Sequence, residues 1–182
     1  EGFGNGPKFP PSPMLEAVLL ISSRDGRDSA RAAELLTATL DAMVTGALHD
    51  HVGGGFFRYS VTADWSLPHY EKMLYDNAQL LRVLAHTARH LGKRGTDPVR
   101  AARYRNAAQG IVTWLVREMI TEQGAIAASL DADSEPSTPG AEREGAYYTF
   151  SFDEDTEPQP AVAGWCESGA VSGILDRNMS EK

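Results

Sequence analysis

Three ionisable side chains, His69, Lys72 and Asp76, follow one another at spacings of three and four residues. On a helix, at roughly 100° per residue, they share one polar side with Gln79, about a third of a turn from the apolar stripe. Glu71 then points elsewhere. Lys72 and Asp76 form a pair one turn apart. His69, an imidazole that titrates near neutrality, is an acid/base candidate wherever that face lines a cavity. The competing reading is a solvated face with a surface ion pair.

A second group is Asp131-Ala132-Asp133-Ser134-Glu135. Alternating acids on an extended segment point the same way. They suit a cation, a set of sugar hydroxyls, or paired-carboxylate chemistry. A solvated acidic loop is the plainer alternative. Calcium binding of the EF-hand type is rejected, because Pro136 stands where that loop needs glycine. Asp131 and Asp133 are the partners expected for His69, with Glu135 beside them.

Between Asp50 and Asp76, glycines and aromatics are concentrated around charged side chains. Gly53-Gly54-Gly55 allows positive φ or a close backbone approach. Phe56, Phe57, Tyr59, Trp65 and Tyr70 beside Arg58 and His69 suggest a pocket wall. Arg58 and Tyr59 suit a carboxylate or sugar hydroxyl, though Arg58 equally suits bracing the loop against Asp50 or Asp64. Trp65 and Phe56 offer stacking surfaces, but such residues more often fill cores. His86 and His90 lie one turn apart, yet Thr87 stands where a zinc-protease helix carries Glu, so they read as surface histidines. His49 and His51 read as a polar entry to the loop. No phosphate loop, dinucleotide fingerprint or nucleophile elbow is present, and no metal or cofactor is expected.

The chain has 182 residues, 42% hydrophobic and 23% charged, with a formal charge of −8. That length allows one domain with a real core. The acidic balance argues against nucleic acid, which needs clustered Lys and Arg. No apolar run approaches a membrane span. The single cysteine, Cys166, allows no intrachain disulfide and fits a reducing compartment, cytoplasmic or organellar rather than secreted. The start at Glu1 rather than Met reads as a fragment.

The elements that must position these residues are helices. Apolar spacing predicts one over about Ser12 to Ser23. A second is capped by Asp28, with Ala33, Leu36, Leu40, Met43 and Ala47 inward. A third starts near Pro68, with Leu74, Ala78, Leu81, Ala85 and Ala88 as its stripe and Gly92 as its stop. A fourth starts at Asp97-Pro98, with Tyr104, Ala108, Ile111, Leu115 and Met119 on one face. Short strands or arms are expected over Ala125 to Leu130 and Ala146 to Phe152. Residues 153–182 form a poorly patterned extension.

Five segments, taken in order, resemble the spermatogenesis-associated protein 20 family, which includes bacterial YyaL-type proteins. They are Gly2-Phe3-Gly4 with Pro7-Lys8-Phe9-Pro10, the Asp50–Ser60 glycine loop, Pro68–Leu80, the Asp131–Glu135 acidic box, and Glu144-Gly145-Ala146-Tyr147-Tyr148. The resemblance covers about Gly2 to Phe152. It implies an all-α fold, the first part of an (α/α)6 toroid of helical hairpins over residues 1–152, with short β-like decorations. Relatives carry a thioredoxin-like domain upstream. The helical region is related to six-hairpin glycosidases and N-acylglucosamine 2-epimerases, which implies a small carbohydrate as ligand by analogy of fold. On that reading His69, Asp131 and Asp133 are catalytic, and Arg58, Tyr59, Trp65, Lys72, Asp76 and Glu135 hold substrate. The alternatives are a non-catalytic binding or scaffold module for the thioredoxin-like domain, or an inactive fragment. One departure stands at Phe57, where relatives often carry histidine.

Overall fold

The computed structural model describes residues 4–135 and 143–149. Within them the chain is mainly helical: α1 (Ser12–Ser22), α2 (Ser29–Thr45), α3 (Leu74–Arg94) and α4 (Pro98–Trp114), the last running on into a π-helical turn over Leu115–Met119. The helices pack as two hairpins, α1 on α2 and α3 on α4, and α1 also lies against α3. Their shared core is built from Leu15, Leu36, Leu40, Met43, Leu80, Leu84, Tyr104 and Ile111. The extension expected over residues 153–182 lies outside the described residues. No helix among the described residues is long and apolar enough to cross a membrane.

Helix boundaries follow local chemistry at two ends. Asp97 caps α4 by accepting the Arg100 N–H at 2.8 Å, and Pro98 follows it where its missing N–H does no harm. Gly95, at φ 63°, closes α3 in a left-handed C-cap. The helix runs through Gly92 because nothing crowds that position and core contacts outweigh one residue's poor propensity. Asp28 occupies the N-cap position of α2 but makes no side-chain cap bond.

The start of α3 corrects the expectation. Residues 68–73 are extended rather than helical. Pro68–His69 (β2) pairs antiparallel with Tyr59–Ser60 (β1), in register Tyr59 with His69. Lys72–Met73 (β3) pairs with Ser129–Leu130 (β4), in register Lys72 with Leu130. Tertiary hydrogen bonds override the local helical signal: Arg58 N–H donates to Glu71 C=O at 2.7 Å, and Leu74 N–H to Ala128 C=O at 2.9 Å. His69, Lys72 and Asp76 therefore share no helical face, and Lys72 and Asp76 make no one-turn pair. The core-facing stripe of α3 is partly displaced: Ala88 is buried and Leu81 packs against the core as expected, but Leu80, Val83, Leu84 and Thr87 are buried too, while Ala78 and Ala85 are exposed. The arm expected from Ala146 is a turn as far as Thr149, with Tyr148 and Thr149 N–H both donating to Gly145 C=O.

The glycine loop is pressed against α4. A Cβ on Gly54, whose φ is +81°, would sit 2.4 Å from the Gly110 carbonyl oxygen. Backbone conformation and space both demand glycine there. Asn77, fully buried on α3, clasps a residue just beyond: its Oδ1 accepts the Phe56 N–H at 2.7 Å and its Nδ2 donates to the Phe56 C=O at 2.9 Å.

Gly54→Ala is expected to destabilise the protein by about 3 kcal/mol or more, since strain and clash add. Gly92→Ala, in open space within α3, is expected to stabilise it by roughly 0.5–1 kcal/mol. Urea denaturation of both variants checks the pair.

Candidate functional site

Two layers meet where the glycine loop, β1–β3 and the 143–149 arm converge. The lower layer is closed. Lys72, with 0% of its side chain exposed, donates to Asp50 Oδ2 at 2.6 Å and to the Gly54 carbonyl at 2.9 Å. Its ammonium also lies 5.0, 5.4 and 4.8 Å from the ring centroids of Phe57, Trp114 and Tyr148, within reach of cation–π attraction. Burial pushes the Lys72 ammonium's pKa down, and Asp50 works against that fall. Asp50 Oδ1 meanwhile accepts the Val52 and Gly53 N–H groups, so it shapes the loop as well as pairing with Lys72. Phe57 is a buried wall of this cage.

The upper layer is open. His69 Nδ1 lies 2.7 Å from Glu144 Oε1, and its Nε2 lies 3.6 Å from Glu71 Oε2. The imidazole stacks on Tyr59 at 4.9 Å, and Tyr59 stacks on Phe9 at 4.7 Å. Arg58 donates to Glu71 Oε2 at 2.7 Å, so that one carboxylate faces both the guanidinium and the imidazole. Asp76, in the first turn of α3, has a buried Oδ2 with no hydrogen-bond partner among the described residues. Burial raises its pKa from 3.8 to about 6, with Arg58 pulling down and Glu71 pushing up. The layer thus holds an imidazole oriented by a carboxylate, a carboxyl that keeps its proton unusually late, and a guanidinium.

Glu144 reaches His69 because of Gly145. At φ +70°, a Cβ there would sit 2.5 Å from the Tyr70 ring. The arm also bonds to the acidic box, Gly145 N–H to Ala132 C=O and Ser134 N–H to Arg143 C=O, both at 2.9 Å. Asp133 faces Glu144 in this ladder.

His69, Arg58, Tyr59 and Asp76 are therefore gathered in or beside the open layer. Asp131 and Asp133 stand exposed in the adjoining ladder, where Asp131 Oδ1 accepts the Asp133 N–H at 3.1 Å. The carboxylates touching His69 are instead Glu144 and Glu71. Glu135 is exposed at the edge, 3.9 Å from Arg143. Lys72 lies in the closed layer. Trp65 is 2% exposed, at φ 68°, with its carbonyl accepting the Ala47 N–H; it is a corner of the core. Sequence reasoning missed Glu71, which a helical reading turned away, and Glu144, which sat in a quoted motif without being given a role. Arg58 braces Glu71 rather than Asp50 or Asp64. His86 pairs with Glu16 at 3.1 Å across α1 and α3. Among the described residues no group of three His, Cys, Asp or Glu side chains is placed to hold a metal.

Lys72→Met or Asp50→Ala leaves an uncompensated buried charge, and each is expected to destabilise the fold by roughly 3–5 kcal/mol. The double variant is expected to be less destabilised than the sum, which a double-mutant cycle in urea measures. Asp76 has the opposite character. Its raised pKa means stability is fully present below about pH 4 and is lost as pH rises through about 6. Asp76→Asn is expected to raise Tm above pH 6, with no gain below pH 4. Burial lowers the His49 pKa to about 4, so that group loses stability as pH falls from about 6.5 to 4. This slope is common to both proteins and cancels in the difference.

No family model matches the chain. Over 165 residues, 88% of its length, it is 36% identical to spermatogenesis-associated protein 20 of Mus musculus. It is 35% identical to the protein of that name from Homo sapiens over 166 residues, also 88% of the chain. The Rattus norvegicus protein is 34% identical over 176 residues, 96% of the chain. The matches cover 20%, 20% and 21% of these relatives, so the chain spans about a fifth of their length. The chain belongs to the spermatogenesis-associated protein 20 family.

Proposed function

We propose that this chain is part of an (α/α)6 toroid and carries an epimerase- or glycosidase-like acid/base site for a small carbohydrate. The observation that carries this reading is His69, held by Glu144 at 2.7 Å and laid against Tyr59 at 4.9 Å, at the open end of the helical hairpins. With Nδ1–H donated to Glu144, the lone pair of Nε2 is the one left to take a proton. Glu144 orients the ring and stabilises the imidazolium that forms. Asp76, still protonated near pH 6, is the matching acid. Tyr59, stacked against Phe9 and His69, offers its hydroxyl rather than a ring face to the sugar, and Arg58 offers donors to the sugar's hydroxyls. Asp131, Asp133 and Glu135 form an acidic rim that can accept hydroxyl hydrogen bonds.

A scaffold role is favoured by a separate observation: Asp50, Lys72, Asn77 and Trp65 are all buried and hold loops in place. Those motif residues serve architecture whether or not the upper layer is catalytic.

The test follows the His69 ring nitrogens by NMR while mono- and disaccharides, N-acetylated hexosamines included, are added to the full chain. At least one sugar is expected to shift them, and Arg58→Ala is expected to weaken that response about tenfold or more. Deuterium exchange at the carbon beside the sugar carbonyl, lost in His69→Gln at unchanged Tm, is expected if the site epimerises. Silence across the panel, with His69→Gln lowering only Tm, would leave the scaffold role standing.

A further inference from the structure

One oxygen of Glu71 stands between the guanidinium and the imidazole of the open layer. Oε2 accepts from Arg58 Nη1 at 2.7 Å and lies 3.6 Å from His69 Nε2. The first contact is a charge-assisted hydrogen bond; the second is too long to be one. Backbone bonds fix this spacing. Arg58 N–H donates to the Glu71 C=O at 2.7 Å, and Tyr59 pairs with His69 in register. Two other sides of His69 are taken, Nδ1 by Glu144 and a ring face by Tyr59. The guanidinium is not satisfied by Glu71 alone: its Nε is buried with no hydrogen-bond partner among the described residues.

These distances leave Glu71 two places. With Nδ1–H given to Glu144, a neutral His69 turns a lone pair toward the carboxylate, and Arg58 keeps it. Once Nε2 carries a proton, an N–H faces the same oxygen. A move of under about 1 Å then makes a second charge-assisted bond. We propose that Glu71 is an exchangeable counter-ion, bound to Arg58 at rest and drawn to His69 when that ring is protonated, which frees the guanidinium.

The chemical use of this exchange rests on the acid/base site proposed above, with His69 taking a proton from the carbon beside a sugar carbonyl. The C–H bond breaks, the Nε2–H bond forms, and the electron pair left behind becomes that of an enolate, its charge on the former carbonyl oxygen. Arg58, released at that moment, is the cation that meets this oxygen. Net charge is unchanged: an Arg58–Glu71 pair beside two neutral groups becomes a His69–Glu71 pair and an Arg58–enolate pair. Glu71 is a positioning residue, since it acts on the sugar only through His69 and Arg58.

Protonation by solvent reproduces the first half of the exchange without any ligand. His69 is faced by Glu144 on the arm, Glu71 between β2 and β3, and Tyr59 on β1; Asp76 and Tyr75 on α3 lie near Arg58. Burial brings Asp76 to about 6, so the titration uses the full chain carrying Asp76→Asn. NMR follows the Arg58 side-chain N–H groups and the His69 ring nitrogens between about pH 5 and 8. Arg58 is expected to shift with the same midpoint as His69. Adding Glu71→Gln is expected to abolish that response while His69 still titrates. Silence of Arg58 as His69 titrates, or an undiminished response in Glu71→Gln, would overturn the proposal. With Asp76 intact, and for any sugar whose carbon-bound hydrogen the chain exchanges for deuterium, Glu71→Gln is expected to lower kcat about tenfold or more with KM within about twofold. An unchanged kcat overturns it too. If no sugar exchanges, the carbohydrate reading falls, and the titration alone decides whether the counter-ion moves.

Discussion

The pairing of Lys72 with Asp50 is the constraint from which the rest of this site hangs. An ammonium with no solvent contact must be answered by charge, hydrogen bonds and polarisable faces together. Here the answer comes from four stretches of chain: Asp50 and Gly54 from the loop, Phe57 beyond it, Trp114 at the end of α4, and Tyr148 on the arm. None of these can drift far without stranding the charge. The pair therefore fixes β3, and through β3 the short extended run that holds His69 and Glu71 just before it. An acid/base centre needs its groups held to within tenths of an ångström. A buried cation beneath the open layer is one way of supplying that rigidity from outside the site.

Much of the helical frame was legible because it rests on local rules. The Asp97-Pro98 start, the inward Leu36, Leu40 and Met43, and the Tyr104–Ile111 face follow from capping and from period. The failures share one cause. Residues 68–73 read as a helix start, since Pro68 suits a first turn and the polar residues recur at helical spacing. They are extended because two separate strands, β1 and β4, claim their backbone groups. A partner strand as distant along the chain as Ser129–Leu130 leaves no mark on local periodicity. The same override carried Lys72 from an expected polar face into the interior. It also exchanged the expected partners of His69, Asp131 and Asp133, for Glu71 and Glu144.

The displaced stripe on α3 is a different kind of discrepancy. Ala78, Leu81 and Ala85 were legible as an apolar face, and they are one. Periodicity reports that a face avoids water but not which neighbour covers it. Leu80, Val83, Leu84 and Ala88 enter the core of the two hairpins and Leu81 packs against it, so the expected stripe overlaps the buried face at its edge and only Ala78 and Ala85 stand outside it.

Glu144 and His69 stand 75 residues apart in sequence, and nearly everything that joins them is backbone geometry. Gly145 lets the arm pass over Tyr70; the ladder to Ala132 and Ser134 sets its height; Tyr148 seats it against Phe57 at 4.9 Å between ring centroids. The helical hairpins need none of this to bury their cores. Their contacts are largely local, and such contacts form before distant ones that must first meet the entropy of loop closure. Assembly of the open layer is then a late step laid on a frame that already stands. This ordering fits the placement of Gly54, Gly55 and Gly145, which combine a positive φ with a close neighbour, in loops rather than in helices. In the hairpins, side chains can repack around an imperfect fit. In the loops, backbone meets backbone or a ring at close range, and only the absence of a side chain satisfies the contact.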